Sequence, residues 1–141
     1  MVREAVINDV KRIIEIGNTY NPNFFKIYDF KEILEETYSR VFVFEENNRV
    51  KGFIHIIELY ESVDIQNIVV DNQEQKKGIA TLLMDYMFSS IGGEVKTITL
   101  EVAISNKIAQ RLYNNFGFEK INERKSYYKN ENAYLMAKQV R

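Results

Sequence analysis

A ten-residue segment, Asp71–Ala80, carries the residues best suited to hold an anionic ligand. It follows the apolar run Ile68–Val70 and precedes an amphipathic helical pattern, so we expect unpaired backbone N–H groups at a helix N-terminus. The small residues Gly78 and Ala80 let a phosphate approach the backbone, and two consecutive lysines add positive charge. The segment is neither a Walker A loop nor a dinucleotide fingerprint. It predicts either a pyrophosphate site or a plain strand-to-helix turn with solvated lysines.

The residue types that the chain lacks narrow the chemistry further. Its 141 residues include no cysteine and one histidine, His55. The lack of cysteine excludes thiol nucleophiles, disulfides and thiolate metal sites, and a single histidine excludes a three-histidine metal site. We therefore expect no bound metal. Because His55 shares a strand face with Phe53, Ile57 and Leu59, a packing role is favoured for it. Catalysis would rest on carboxylates, tyrosines, lysines or a bound cofactor.

The charge pattern argues against a polyanionic partner. The net charge is −1, with 8 Lys/Arg against 12 Asp/Glu in residues 1–70 (net −4) and 11 against 8 in residues 71–141 (net +3). This balance excludes general nucleic-acid binding. The positive second half either suits an anionic ligand or reflects random variation.

Length and apolar content predict one domain, residues 1–141. The chain is 45% hydrophobic, which is enough to build a core at this length. No apolar run approaches the roughly 18 residues of a membrane span, and Met1–Ile7 lacks the apolar core of a signal peptide. We expect a cytoplasmic protein without a membrane partner.

Hydrophobic periodicity predicts elements in the order β-α-α-β-β-β-α-β-α-β-β. The predicted strands are Val2–Ile7, Val41–Glu45, Val50–Tyr60, Val63–Asp71, Thr97–Val102, Glu119–Tyr128 and Ala133–Val140. The predicted helices begin after Asn8-Asp9, Asp29, Gly78 and Ser105-Asn106, with the first ending at Gly17-Asn18. Their buried stripes are expected to include Tyr38 in the second helix, Leu82 in the third and Ile108 in the fourth.

The order of the elements predicts an α/β fold with a mixed (α+β) sheet. Val63–Asp71 and Thr97–Val102 flank a helix, so these two strands should be parallel and joined by a right-handed crossover. The other strands should pair antiparallel. We expect a mostly antiparallel sheet with one parallel pair and helices on both faces.

Two motifs resemble the GNAT superfamily of N-acetyltransferases, and the resemblance covers essentially the whole chain. The first is Gln75-Lys76-Lys77-Gly78-Ile79-Ala80, which is similar to the family signature Gln/Arg-x-x-Gly-x-Gly/Ala. The second, more specific pattern resembles the bacterial RimI type, which acetylates the N-terminal alanine of a ribosomal protein. It comprises Leu100-Glu101-Val102, Ser105-Asn106, Ala109, Leu112-Tyr113, Gly117-Phe118, Arg124 and Tyr127-Tyr128. The element order also looks like the GNAT fold.

The resemblance implies acetyl-CoA as co-substrate and assigns a role to each matching residue. With Gln75 opening the motif, the pyrophosphate would lie on the backbone of Lys76, Lys77, Gly78, Ile79, Ala80 and Thr81. The pantetheine arm would bond to the backbone of Ile68, Val69 and Val70. By the same resemblance, the general base is Glu101, the general acid is Tyr113, and a further cofactor contact is Asn106.

The same residues also have plainer interpretations. Glu101 lies near the C-terminal end of a parallel strand, where open α/β sheets place ligands, but it is also a normal solvated strand residue. Tyr113 lies on the inward stripe of a helix and is equally a core tyrosine. Asn106 is a suitable N-cap, which is compatible with a cofactor contact. Tyr127 and Tyr128 either shape the acceptor pocket or pack as strand aromatics.

The leading expectation is an enzyme, an acetyl-CoA-dependent N-acetyltransferase that transfers acetyl directly to a primary amine. The expected acceptor is a protein N-terminal α-amine. The alternatives are a small-molecule amine, a lysine side chain, or a non-catalytic CoA-binding module. Residues Tyr20–Phe25 lack the Pro-Trp-Ser stretch typical of the RimI type, which leaves a ribosomal acceptor open. The protein is expected to be a monomer or a homodimer.

Overall fold

The computed structural model describes residues 1–128 and 131–140, with the backbone alone at residues 25 and 126–128. Its strands are β1 (Val2–Glu4), β2 (Ser39–Glu46), β3 (Arg49–Leu59), β4 (Ser62–Val70), β5 (Thr97–Ala103), β6 (Glu119–Tyr128) and β7 (Glu131–Gln139). Its helices are α1 (Val10–Tyr20), α2 (Phe24–Ile27), α3 (Phe30–Ile33), α4 (Ile79–Ser90) and α5 (Lys107–Asn115). Short 3-10 turns lie at Ile7–Asp9 and Asn72–Glu74.

The strands form one mixed sheet in the order β1-β2-β3-β4-β5-β7-β6. β4 and β5 are parallel, with Ser62 opposite Thr97 and Ile65 opposite Leu100. β1 with β2, β2 with β3, β5 with β7 and β6 with β7 are antiparallel. The predicted fold class is therefore confirmed, and the element order differs only by the one-turn helix α2.

The chain divides into two compact units. Unit 1 comprises residues 1–58 and 66–91, and unit 2 comprises residues 59–65 and 92–141. Strand β4 contributes its first part to unit 2 and its second part to unit 1. The assignment of the chain to a single domain stays a prediction.

Unit 1 has an aromatic core that covers one face of β2 and β3. Alternation along β2 points Val41 and Val43 into a cluster with α1 and Phe53, whereas Phe42 meets Tyr86 of α4 with ring centroids 5.1 Å apart. Helices thus pack on opposite faces of β2. In the cluster, Phe24 of α2 stacks on Phe30 of α3 at a centroid distance of 5.5 Å.

Two helix predictions in unit 1 are wrong at their ends. α1 continues through Gly17 to Tyr20, because the ring of Phe24 occupies the place of a Gly17 side chain: a Cβ there would lie 2.3 Å from that ring. α3 ends at Ile33, so Tyr38 falls beyond the helix and is 43% exposed rather than buried.

Two predicted stripe residues are also exposed. The buried residues of α4 are Ile79, Leu83, Met84 and Met87, which leaves Leu82 at 46% exposure. The buried residues of α5 are Gln110 and Tyr113, which turns Ile108 outward at 73% exposure.

Unit 2 is built on β5, whose burial alternates from one residue to the next. Ile98, Leu100 and Val102 are buried on one face, and Thr97, Thr99 and Glu101 lie half-buried on the other. α5 follows β5 after a short turn. The strand and helix together position the polar residues considered below.

Candidate functional site

In unit 1, the segment that follows β4 is held at its start by a half-buried ion pair. Asp71 pairs with Arg12 of α1, whose Nε donates to the Val50 carbonyl at 2.8 Å. The Asp71 carboxylate also accepts from the Gln73 N–H at 3.1 Å. Burial acts to raise the pKa of Asp71, but the hydrogen bonds from Gln73 and Arg12 outweigh it and lower the pKa. The start of the segment is therefore fixed in place.

The backbone then turns sharply into α4. Lys76 and Gly78 both have left-handed backbone angles, with φ of 67° and 81°. Gly78 is the N-cap of α4 and has no side chain that could cap the helix. The first N–H groups of the helix are therefore available to donate hydrogen bonds to a ligand. A Cβ on Gly78 would meet no atom within 4 Å, so open space adjoins these donors. This backbone geometry suits a phosphate, which needs convergent N–H donors and close approach.

The lysine charge in this segment is partly balanced by a neighbouring carboxylate. Lys77 Nζ lies 3.1 Å from Glu74 Oε1, and Lys51 Nζ lies 3.4 Å from the same oxygen. The hydrogen bond from Lys77 is the main cause that lowers the pKa of Glu74. The sequence pattern did not indicate that Lys51, which lies on β3, would contact this segment. A phosphate bound at this turn would thus depend on the backbone N–H groups more than on free lysine charges.

The residues assigned to the pantetheine arm lie at the end of β4. Val69 is buried, and Ile68 and Val70 are half-buried. Gly52 of β3 approaches closely, since a Cβ there would lie 3.1 Å from the Val69 carbonyl oxygen. Next to them, Asn67 has a buried Nδ2 that lacks a partner among the described residues. Sequence reasoning missed Asn67, whose only signal was a polar residue directly before the apolar run Ile68–Val70.

In unit 2, Glu101 has two oxygens in different surroundings. Oε1 lies 3.3 Å from Nη1 of Arg124 on β6. Oε2 is buried and has no hydrogen-bond partner in the described part of the chain. The Glu101 side chain is 18% exposed. A carboxylate with one paired oxygen and one free oxygen can accept a proton or a hydrogen bond at the free one.

Tyr113 is positioned by both ends of α5. At the start, Asn106 Oδ1 accepts from the Ala109 N–H at 3.1 Å, so the predicted cap is confirmed. At the end, Gly117 has φ 90° and the Phe118 N–H returns to the Tyr113 carbonyl at 3.0 Å. The Tyr113 ring is 6% exposed and meets Phe118 edge-on at 6.0 Å. Tyr113 is therefore a rigid phenol on a capped helix.

The turn between β5 and α5 is fixed by two side chains that sequence reasoning missed. Buried Gln110 donates from Nε2 to the carbonyls of Ala103 at 3.1 Å and Ile104 at 2.7 Å. Glu131 accepts from the Ser105 N–H at 2.6 Å, and hydrogen bonding by Ser105 lowers the pKa of Glu131. Gln110 turns inward because its amide satisfies these carbonyls, which is also why Ile108 turns outward.

The predicted site residues therefore fall into two groups. Those assigned to the cofactor, apart from Asn106, lie in unit 1 on the end of β4 and the turn into α4. The pair assigned to proton transfer, Glu101 and Tyr113, lies in unit 2 with Asn106. The side chains of Tyr127 and Tyr128 lie outside the described residues, so their role stays a prediction. Within residues 1–128 and 131–140, no helix has both the length and the apolar character needed to cross a membrane.

Comparisons with known proteins agree with this arrangement of elements and motifs. Residues 10–118 match the model of the acetyltransferase (GNAT) family. An N-alpha-acetyltransferase of Saccharolobus solfataricus is 32% identical over 152 residues, which cover 97% of this chain and 91% of that protein. A ribosomal protein bS18-alanine N-acetyltransferase of Haemophilus ducreyi is 33% identical over 100 residues, which cover 67% of this chain and 69% of that protein.

Solved structures share the fold over the full length. The crystal structure of the ribosomal-protein-S18-alanine N-acetyltransferase from Escherichia coli superposes with a TM-score of 0.88 at 22% identity, covering 99% of this chain and 93% of that one. The structure of Ard1 from Thermoplasma volcanium gives a TM-score of 0.87 at 25% identity, covering 100% and 97%.

Proposed function

Because the chain belongs to the GNAT family of acetyltransferases, we propose that it acetylates the N-terminal α-amine of a protein. The transfer is direct, from acetyl-CoA to the amine, without a covalent enzyme intermediate. The observation that carries the proposal is Oε2 of Glu101, which is buried and has no hydrogen-bond partner among the described residues. A buried acceptor without a donor is costly to maintain, and an ammonium group would satisfy it.

The backbone turn at the start of α4 fits the phosphates of acetyl-CoA. Its uncapped N–H groups, the positive end of the α4 dipole and the open space beside Gly78 meet the needs of a pyrophosphate. We assign the phosphate contacts to Lys76, Lys77, Gly78, Ile79, Ala80 and Thr81, with Gln75 before them. Gln75 is already oriented by its Nε2, which lies 3.3 Å from Asn72 Oδ1.

The remaining cofactor contacts follow from the same assignment. Ile68, Val69 and Val70 would bond to the pantetheine arm through their backbone, and buried Asn67 Nδ2 adds an unused donor beside them. Asn106 would contact the cofactor with its amide nitrogen, since its Oδ1 already caps α5. When bound, acetyl-CoA supplies the activated thioester and the thiolate leaving group.

Glu101 and Tyr113 then divide the proton transfers. Oε2 of Glu101 accepts a proton from the acceptor ammonium, which leaves a nitrogen lone pair to form the new C–N bond as the C–S bond breaks. The Tyr113 hydroxyl gives its proton to the departing sulfur and regains one from the nitrogen as the amide forms. Glu101 finally releases its proton to solvent. The atoms and charges balance: the ammonium group and the thioester give one amide, one free thiol and one proton.

Relatives support the choice of acceptor. Relatives that match over most of this chain carry two kinds of name, N-alpha-acetyltransferase and ribosomal protein bS18-alanine N-acetyltransferase. We therefore propose a protein N-terminus as the partner, which makes a ribosomal protein one candidate. A cytoplasmic location, without nucleic-acid or membrane partners, belongs to the same proposal.

A thiol-release assay tests the proposal. Purified protein is incubated with acetyl-CoA and a peptide library that varies the first two residues, with each peptide also supplied in an N-terminally formylated form. We expect CoA release with a subset of the free peptides and none with their formylated partners. Tight CoA binding without thiol release for any amine would show a binding module and overturn the proposal.

A further inference from the structure

Arg124 makes the ion pair to Glu101 and has no role in the chemistry described above. Its Nη1 lies 3.3 Å from Oε1, while Oε2 of the same carboxylate is buried and lacks a partner within residues 1–128 and 131–140. The Arg124 side chain is 60% exposed, against 18% for Glu101. The contact therefore joins a solvent-facing cation to the one carboxylate of β5.

The register of the sheet explains how Arg124 reaches across a strand. Arg124 of β6 is opposite Ala133 of β7, and Ala133 is opposite Ala103 of β5, two residues after Glu101. Residues opposite each other, and residues two apart on a strand, point to the same face. Arg124 and Glu101 thus lie on one face, with Ala133 and Leu135 of β7 between their strands. The short side chain of Ala133 leaves room for the long arginine to cross β7.

Such a pair is poorly suited to a stabilising role. Exposed ion pairs contribute little to the free energy of unfolding, because water screens the charges and the side chains lose freedom. The pair does fix the orientation of the carboxylate, since a contact to one oxygen determines where the other points. Orientation of a reacting group has a large effect on rate.

We propose that Arg124 is a positioning residue that holds Oε1 of Glu101, so that Oε2 is presented to the ammonium group of the acceptor. The inference rests on the proposed function, in which Glu101 is the general base. Arg124 itself exchanges no proton in this role. Its effect should appear in turnover and should depend on the presence of the Glu101 carboxylate.

The test compares Arg124→Gln, Arg124→Lys and Arg111→Gln in steady-state assays with acetyl-CoA and a peptide that the wild type acetylates. For Arg124→Gln we expect kcat to fall about tenfold, by loss of orientation, with KM for acetyl-CoA within about twofold. Arg124→Lys should recover part of kcat, because a cation can still reach Oε1. Arg111, exposed on α5, is the matched control, and Arg111→Gln should leave kcat unchanged.

A double-mutant cycle separates positioning from a general structural effect. In the Glu101→Gln background, Arg124→Gln should change the residual kcat by less than about twofold, because the carboxylate it acts on is gone. The midpoint of thermal unfolding should be the same for the two Arg124 variants and the wild type.

The outcomes are distinguishable. An active wild type whose kcat is unchanged in Arg124→Gln, or whose loss is equally large with and without Glu101, overturns the positioning role and leaves the proposed function intact. A wild type that releases no thiol with any amine overturns the proposed function and, with it, the role of Arg124. A tenfold loss that disappears in the Glu101→Gln background supports the role.

Discussion

Among the described residues, each unit of the molecule holds a titratable side chain with a buried atom that lacks a hydrogen-bond partner, and the two side chains differ in their surroundings. In unit 1, His55 is 3% exposed, and its Nδ1 has no partner among those residues. Its ring meets Tyr28 and Phe30 edge-on at 6.3 and 5.6 Å, and its Nε2 lies 3.4 Å from Ser39 Oγ. In unit 2, Glu101 instead faces the exposed Arg124.

The different surroundings of His55 and Glu101 suggest different roles for their unpartnered atoms. Burial lowers the pKa of His55 to about 4, although Glu36 acts in the opposite direction, so the ring is neutral near pH 7. A neutral ring among aromatic side chains contributes to packing, which is the role that the sequence pattern favoured for His55. Glu101 is paired to a cation through one oxygen only, which leaves the second oxygen as an acceptor at a polar face.

The most direct test of this comparison replaces Glu101 and His55 in two separate variants. Glu101→Gln should lower kcat by roughly 10²–10⁴-fold, since general base catalysis contributes about that much. His55→Gln should keep kcat within about twofold, because the ring takes no part in the reaction. Thiol release by the two purified variants measures both effects. A larger loss for His55→Gln at equal folding would reverse the assignment.

The next prediction concerns Tyr113, the proposed general acid in unit 2. Tyr113→Phe keeps the ring that packs on Phe118 and removes only the hydroxyl, so kcat should fall roughly 10²-fold while the Kd for CoA stays nearly constant. Tyr134→Phe on β7 is the matched control and should leave kcat unchanged. Unchanged turnover in Tyr113→Phe would remove Tyr113 as the general acid.

His55 predicts how stability depends on pH. Its folded pKa of about 4 lies below the ordinary value of 6.5, so the unfolded chain binds more protons in this window. Stability from the neutral ring is complete above pH 6.5 and is lost as the pH falls toward 4, by about 3 kcal/mol.

Urea unfolding at several pH values between 7 and 4.5 measures this loss. His55→Gln should flatten the curve in that range, since the lowered pKa values of Asp9 and Asp71 act at lower pH. An equally steep curve in His55→Gln would show that another group causes the loss.

The turn at Gly78 adds a site that is made by backbone rather than by a side chain. Gly78→Val should weaken CoA binding about tenfold, because the left-handed conformation costs a residue with a Cβ roughly 1–2 kcal/mol and binding requires that conformation. Calorimetric titration with CoA measures the Kd. Gly93, where a Cβ would also meet no atom within 4 Å, is the matched control. Equal Kd values for CoA in Gly78→Val and Gly93→Val would show that the turn at Gly78 does not bind the phosphates.

Local patterns predicted most of the fold because they reflect local physics. The alternation of Ile98, Leu100 and Val102 fixed the buried face of β5, and Asn106 was recognisable as a cap from its residue type. Packing between elements decided the errors. Gly17 continues α1 and leaves room for the Phe24 ring of the next helix, a contact that the residue type of Gly17 does not reveal.

The charged contacts of the site were the least predictable. Arg124 reaches Glu101 only because β7 lies between β6 and β5 and offers Ala133 at the crossing, which requires the strand order and the register. Lys77 stood out as a free cation in sequence, yet the turn at Asn72–Glu74 brings Glu74 within 3.1 Å of it. The sequence suggested candidate residues, whereas the fold determined their partners.

Mapping the acetylated atom tests the central claim most directly. A peptide with a free α-amine and an internal lysine is incubated with acetyl-CoA and the wild-type enzyme, and tandem mass spectrometry locates the acetyl group. We predict one acetyl group, on the α-nitrogen, and its loss with the Glu101→Gln and Tyr113→Phe variants. Acetyl on the lysine side chain, or equal α-acetylation by the Glu101→Gln variant, would contradict the account.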